Sequence, residues 1–178
     1  LPKSKALKKI VILGPESVGK TTLCMELEKR LNVVVVPEYA RKYVESLNRH
    51  YTYDDVEIIA KEQLSSFKKA IVENPDKDFL IMDTFLIVTK VWFTHVYERC
   101  PKWLPLEIEK EKIDLYLILK PDIEWVEDPV RENPHIREYL YEQYKKEIEA
   151  IGGNYVEIGG VGNIRTKRAL RAINRLKK

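Results

Sequence analysis

The stretch KIVILGPESVGKTTL, Lys9 to Leu23, decides the fold of this 178-residue chain. KIVIL is short, apolar and rich in β-branched residues, and a glycine turn follows it at once, the pattern of a strand buried on both faces. After the turn, TTLCMELEKRL sets Leu23, Leu27 and Leu31 at four-residue spacing with charges between them, a helical period whose last turn carries Lys29 and Arg30. Between strand and helix, Gly14, Gly19, Lys20 and Thr21 satisfy GxxxxGK[ST], a loop whose amides enclose phosphate oxygens at a helix N-terminus. In such a loop Gly14 and Gly19 let the backbone turn inward, the Lys20 ammonium reaches the β- and γ-phosphates, and the Thr21 hydroxyl ligates Mg²⁺. ATP with Mg²⁺ is the expected ligand, and Ser17 and Thr22 join the residues expected around the nucleotide.

Four further apolar runs repeat the character of KIVIL: VVVV (Val33 to Val36), FLIM (Phe79 to Met82), IDLYLIL (Ile113 to Leu119) and NYVEI (Asn154 to Ile158). Helical pattern separates them, so the reading is an α/β fold with a five-stranded parallel sheet. Tyr39 to Asn74 reads as mostly helical, broken near RHYTYDD, with Asp54 or Asp55 capping its second helix. A helix from Phe85 to Tyr97 is expected to end at RCPKWLP, and another runs from Pro134 to Ala150 after DPVRENP. The length suits one domain, 1–178, with a helical lid segment near 122–150.

Charge excludes some classes of partner. Basic residues number 31 against 28 acidic, a net charge of +3 spread along the chain, which gives nucleic-acid binding little support. The basic run Arg165, Lys167, Arg168, Arg171, Arg175, Lys177 and Lys178 reads as a solvated helix face. Cys24 and Cys100 match no metal or disulfide spacing and read as free thiols in a reducing cytosol. No apolar run approaches a membrane span, and LPKSKALKK leads into a strand rather than a signal-peptide core. A cytoplasmic protein with a small-molecule nucleoside substrate is expected, with no nucleic acid or membrane as partner; association into a homo-oligomer stays open.

A second substrate needs chemistry at the same sheet edge. Asp83 closes the strand FLIM, where Mg²⁺ requires a carboxylate beside the loop, and Glu38 leaves the second strand at the carboxyl edge. Either can orient and deprotonate an attacking hydroxyl; the reading favours Glu38 as base and Asp83 for the metal. Arg131 and Arg137 lie in the polar, proline-bounded segment that would close over the phosphates, unless Asp128 and nearby glutamates hold them in surface pairs. Tyr39, Tyr43, Phe67, Trp92, Phe93, Tyr97 and Trp103 form an aromatic set from which a stacking wall for a flat ring could come.

GPESVGKTTL, VPEYARKYVE, IMDTFLIVTKVWF and LILKPDIEWVEDPVRENPHIRE, in this order, resemble the ribosylnicotinamide kinase domain of NadR-type proteins and related small P-loop ATPases over nearly the whole chain. The resemblance implies a P-loop nucleoside-kinase-like three-layer sandwich with strand order 2-3-1-4-5, and conversion of nicotinamide riboside and ATP to nicotinamide mononucleotide and ADP. It implies Gly19, Lys20 and Thr21 on ATP and Mg²⁺, Glu38, Tyr39 and Arg41 near the acceptor, Asp83 and Trp92 beside the reacting groups, and Arg131 and Arg137 in the lid. Two positions depart from the family: Pro37 stands where some members carry an aromatic, and DTF with Phe85 stands where some carry DTD. No HxGH-type nucleotidyltransferase motif occurs, so synthesis of the dinucleotide by this chain is not expected. The other reading the same loop serves is a regulatory ATPase or nucleotide-dependent switch.

Overall fold

A computed structural model describes residues 6–176; Lys177 and Lys178 of the basic run, and most of the segment before the first strand, lie outside the described residues. Among the described residues five parallel strands, β1 (Lys8–Leu13), β2 (Val33–Val36), β3 (Phe79–Asp83), β4 (Leu115–Leu119) and β5 (Tyr155–Ile158), hydrogen-bond in the order β2-β3-β1-β4-β5. Among the described residues seven helices connect or follow them: α1 (Lys20–Glu28), α2 (Tyr39–Glu45), α3 (Tyr53–Glu73), α4 (Leu86–Tyr97), α5 (Trp103–Lys110), α6 (Arg137–Ala150) and, after β5, α7 (Asn163–Arg175), with a 3₁₀ turn at Pro134–Ile136.

Alternation along each strand divides the core in two. Ile10 and Ile12 of β1, Phe79 and Ile81 of β3, and Leu115, Leu117 and Leu119 of β4 pack with Leu23, Cys24 and Leu27 of α1 and Ala169, Ala172 and Ile173 of α7. Their neighbours Val11, Leu13, Leu80, Met82, Tyr116 and Ile118 pack on the other face with α3, α4 and α6. The result is a three-layer sandwich in which both faces of the sheet are dry, which is why the strands carry no polar alternation. Register then sets the active edge. Ile12 pairs with Asp83 and Val36 with Met82, so the loop after β1, the end of β3 and the segment after β2 emerge side by side.

Several local expectations are corrected. α1 ends at Glu28, so Lys29 and Arg30 follow its last turn instead of forming it. The cap of α3 is Thr52: its side chain accepts from the Asp55 N–H while Asp55 accepts from the Thr52 N–H, a reciprocal capping box. RCPKWLP does not stay a turn, because α5 begins within it. Pro105 occupies the third residue of α5, where a helix has no use for an amide hydrogen. In α7, Arg165 leaves the solvated face. Its guanidinium is buried and donates to Gly160 O at 2.8 Å, to Lys120 O at 3.2 Å, to Val18 O and to Asp122, while Lys167, Arg168, Arg171 and Arg175 remain exposed. Among the described residues no helix is long and apolar enough to cross a membrane.

Candidate active site

The loop after β1 takes its shape from close approach. A Cβ on Gly14 would lie 2.8 Å from Leu119 O, and Gly19, the N-cap of α1, sits at φ 80°. Ser17 also adopts a positive φ, 56°. Its hydroxyl accepts from Val126 N–H at 3.0 Å and faces Arg131 Nη1 at 3.4 Å. Lys20 Nζ donates to Gly14 O at 3.1 Å and Pro15 O at 2.9 Å, which holds the ammonium across the mouth of the loop.

Behind the loop stands Asp83, buried at the end of β3. Thr21 Oγ1 donates to its Oδ2 at 2.7 Å, whereas Oδ1 is buried with no partner. Burial raises the Asp83 pKa, and the Thr21 hydrogen bond and the Lys20 charge oppose that rise. A free carboxylate oxygen beside a hydroxyl on a phosphate loop fits Mg²⁺, which takes one or two protein ligands and completes its shell with water and phosphate oxygens. Among the described residues no group of three or more His, Cys, Asp or Glu side chains converges, so a cage built from protein alone is not what this donor pair resembles.

Glu38 is the N-cap of α2 and lines the same cleft as Lys20. Desolvation pushes its pKa up, Lys20 draws it down, and Asp83 pushes it up again. Gln63 of α3, itself buried, joins the segments that carry the two carboxylates. Its Oε1 accepts from Tyr39 N–H at 2.9 Å, and its Nε2 reaches Thr84 O at 3.3 Å and Pro37 O at 3.5 Å. Thr84 holds φ at 70°, a strain of about 1–3 kcal/mol for a non-glycine residue.

The cleft has a volume of about 300 Å³. Its lining includes Lys20, Thr21 and Thr22 of the loop, Glu38, Arg41 and Val44, the group Tyr51, Val88, Trp92 and Tyr144, and Arg131, Glu132 and Asn133. The structure therefore brings together Lys20, Thr21, Thr22, Glu38, Arg41, Trp92 and Arg131. Tyr39 is not in the lining, and its ring lies against Tyr43 at 5.9 Å. Phe67 and Phe93 are core residues, Tyr97 packs on Tyr53, and Trp103 donates to Glu57, so of the expected aromatic set only Trp92 faces the cleft. Phe85, in place of a second carboxylate, packs on Phe67 at 4.8 Å. Residue-by-residue reading missed Glu16, Tyr51, Gln63, Thr84 and Tyr144. Glu16 had a signal, its position between the two glycines of the loop; Gln63 and Tyr144 looked like ordinary helix residues.

The segment from 120 to 133 crosses over the loop without regular structure. Glu16 accepts from Glu132 N–H and Asn133 N–H, each at 3.2 Å, and desolvation raises its pKa against those bonds. Arg131 donates to Val126 O at 2.8 Å. Arg137, the first residue of α6, donates to Ile123 O at 3.0 Å and Ser17 O at 3.1 Å, with Nε buried and unpartnered. The Asp128 carboxylate binds Arg41 at 3.1 Å and so ties α2 to the crossing segment, while Arg131 meets Asp128 through its N–H, which donates to Asp128 O at 3.0 Å, and through its charge, which helps lower the Asp128 pKa. The helical part of the expected lid belongs to the core: Leu140, Tyr144 and Ile148 of α6 are buried. A second hollow of about 400 Å³ is walled by Thr22, Ile123, Val161 and Arg165 and shares Val18, Gly19 and Thr22 of the loop with the first.

Residues 9–166 match the AAA domain family. Among solved structures, a NadR protein in complex with NR superposes with a TM-score of 0.82 at 24% identity, covering 96% of this chain and 51% of that one. A NadR protein in complex with NAD and AMP-PNP gives 0.79 at 23% identity, with 96% and 49% covered. The thymidylate kinase of Ehrlichia chaffeensis gives 0.67 at 14% identity, covering 94% of this chain and 99% of that one. In sequence, the tRNA dimethylallyltransferase of Fusobacterium nucleatum is 29% identical over a region that is 42% of this chain and 31% of that protein. This chain thus spans about half the length of the NadR chains and less than a third of the transferase. The structural likenesses establish the fold, a P-loop kinase-like sandwich.

Proposed function

From the premise that this chain belongs to the AAA domain family, we propose that it is an ATP- and Mg²⁺-dependent kinase that phosphorylates a nucleoside hydroxyl, with nicotinamide riboside as acceptor and nicotinamide mononucleotide as product. One observation carries the reading: Lys20, Thr21 and Glu38 line a single cleft together with the aromatic residues Tyr51, Trp92 and Tyr144, and Thr21 of that loop pairs with Asp83. A phosphate donor and a flat acceptor both have a place there. The sequence resemblance to NadR-type kinase domains and the NR complex of a NadR protein support the choice of acceptor. Residues 1–178 act as one kinase-like unit in this reading, with 120–133 as the covering segment.

In the proposed reaction the loop amides and Lys20 hold the ATP phosphates, and the base rests in the second hollow. Thr21 and Asp83 would hold Mg²⁺, which when bound offsets charge on the phosphate oxygens. Glu38 takes the proton of the acceptor hydroxyl as that oxygen bonds to the γ-phosphorus. The bond from phosphorus to the bridging oxygen breaks, and ADP leaves with that electron pair. Its raised pKa makes Glu38 a stronger proton acceptor than an exposed glutamate. Arg131 and Arg137, now on carbonyl oxygens around the loop, supply positive charge to the group in transit. Trp92 and Tyr51 face the acceptor ring, and a pyridinium gains from their π-faces what a neutral base does not.

The test is ADP release with nicotinamide riboside, adenosine, cytidine and uridine. Nicotinamide riboside should be fastest, with phosphorylated product equal to ADP. Glu38→Gln should keep ATP affinity while the transfer rate falls about 10²–10⁴-fold, the usual range for a lost general base. Ready turnover of a pyrimidine nucleoside with nicotinamide riboside ignored would remove the acceptor assignment. Phosphate release without any phosphorylated nucleoside would favour a regulatory ATPase.

A further inference from the structure

Thr84 carries two liabilities at once. It is β-branched yet held at φ 70°, in the left-handed region, and its Oγ1 is buried without a hydrogen-bond partner. The residue borders the cleft and is only 7% exposed. Its backbone is fixed from two directions: Thr84 N–H donates to Ile12 O at 2.9 Å, and Gln63 Nε2 donates to Thr84 O at 3.3 Å. Glycine would relieve the backbone and valine would fill the same volume without an unsatisfied hydroxyl; the chain has neither. Strained backbone and unpaired buried polar groups both cluster at functional sites, where a ligand or a water supplies the missing partner.

Position says what it meets. Gln63, which holds Thr84 O, also binds Tyr39 N–H and reaches Pro37 O, the two neighbours of Glu38. Thr84 is therefore pinned between Asp83, beside the phosphate loop, and Glu38 across the cleft. In the kinase reading, the acceptor oxygen reaches the γ-phosphorus between these two carboxylates.

We propose that the Thr84 hydroxyl hydrogen-bonds the attacking oxygen of the acceptor and holds it between Glu38 and the γ-phosphate. The inference rests on the kinase reading above. The acceptor oxygen gives its proton to Glu38, attacks phosphorus with one lone pair, and accepts from Thr84 O–H with the other. No covalent bond of Thr84 changes. In the slow side reaction with water, the water oxygen takes the same place.

The experiment compares wild-type, Thr84→Val, Thr84→Ser and Thr84→Gly chains with ATP and nicotinamide riboside, alongside thermal melts. Thr84→Val keeps shape and strain but has no hydroxyl, so kcat/KM for nicotinamide riboside should fall about tenfold with the KM for ATP unmoved. Thr84→Ser keeps the hydroxyl with less strain and should stay within about twofold of wild type. Thr84→Gly should melt higher by roughly 2–4 °C and be as slow as the valine variant. A valine variant at wild-type rate overturns the proposal, and so does a serine variant that fails with it, since the role would then be packing. If the wild type ignores nicotinamide riboside, the acceptor assignment fails by itself, and ADP release with water as acceptor reads Thr84: a loss confined to Val and Gly supports the contact, equal rates overturn it. A wild-type chain that turns over no ATP sinks both.

Discussion

Asp83 has two carboxylate oxygens with different surroundings, one bound by Thr21 and one buried and bare. Such a group weakens the fold that carries it. Burial raises its folded pKa above the unfolded value, so between those two values the folded chain holds the proton more tightly, and stability declines as pH rises through that window. Asp83→Asn should therefore abolish Mg²⁺-dependent transfer while melting at or above the wild-type temperature at neutral pH, with the gap closing as the buffer is made acidic through the ordinary carboxylate range. Transfer assays and melts over a pH series check both; a neutral-pH variant that melts well below wild type would mean Asp83 is a stabilising residue. Asp83 and Thr21 were legible in the sequence because their spacing to strand ends is fixed by a known loop geometry. Gln63 and Thr84 were not, because what distinguishes them is an unusual partner or an unusual φ, and neither leaves a mark in residue type.

At the scale of elements, apolar runs announced all five strands to within about two residues, since a strand buried on both faces has little choice of composition. Ends were harder. The helix α5 was hidden by prolines that read as breaks, although Pro105 lies in a first turn that tolerates it. The start of α3 was placed on Asp54 or Asp55, whereas Thr52 and Asp55 share the task. Thr52→Ala removes one half of that box and should cost about 1 kcal/mol. For a chain of this size that lowers the melting temperature by roughly 2–4 °C. Steady-state constants for ATP should not move, because Thr52 is absent from the cleft wall. A melt unchanged within error would show that Asp55, bound also by Arg49 and Tyr43, holds the helix start unaided.

For the molecule as a whole, the strand order and the layers follow from parallel strands with helices on both faces, and the resemblance supplied the order itself. What no pattern predicted is the buried tie at Arg165, which joins the phosphate loop at Val18, the end of β4 at Lys120 and Asp122, and the turn before α7 at Gly160. A charge run on a helix gives no hint of carbonyl oxygens brought in by three distant segments. Arg165→Met should destabilise the chain by about 3 kcal/mol, toward the lower end for a broken buried pair since Asp122 is partly exposed. Arg165→Lys should recover only part of it, since one ammonium cannot serve four acceptors. Chemical denaturation measures both, and equal stability of the three chains would leave the tie without weight. The register has a further consequence for how the chain is made. β1 carries the phosphate loop but pairs with strands synthesised much later, Lys8 with Phe79 and Ile10 with Leu115, and Arg165 comes later still. On a ribosome the nucleotide loop thus emerges before the strands that flank it and acquires its shape only after they have followed.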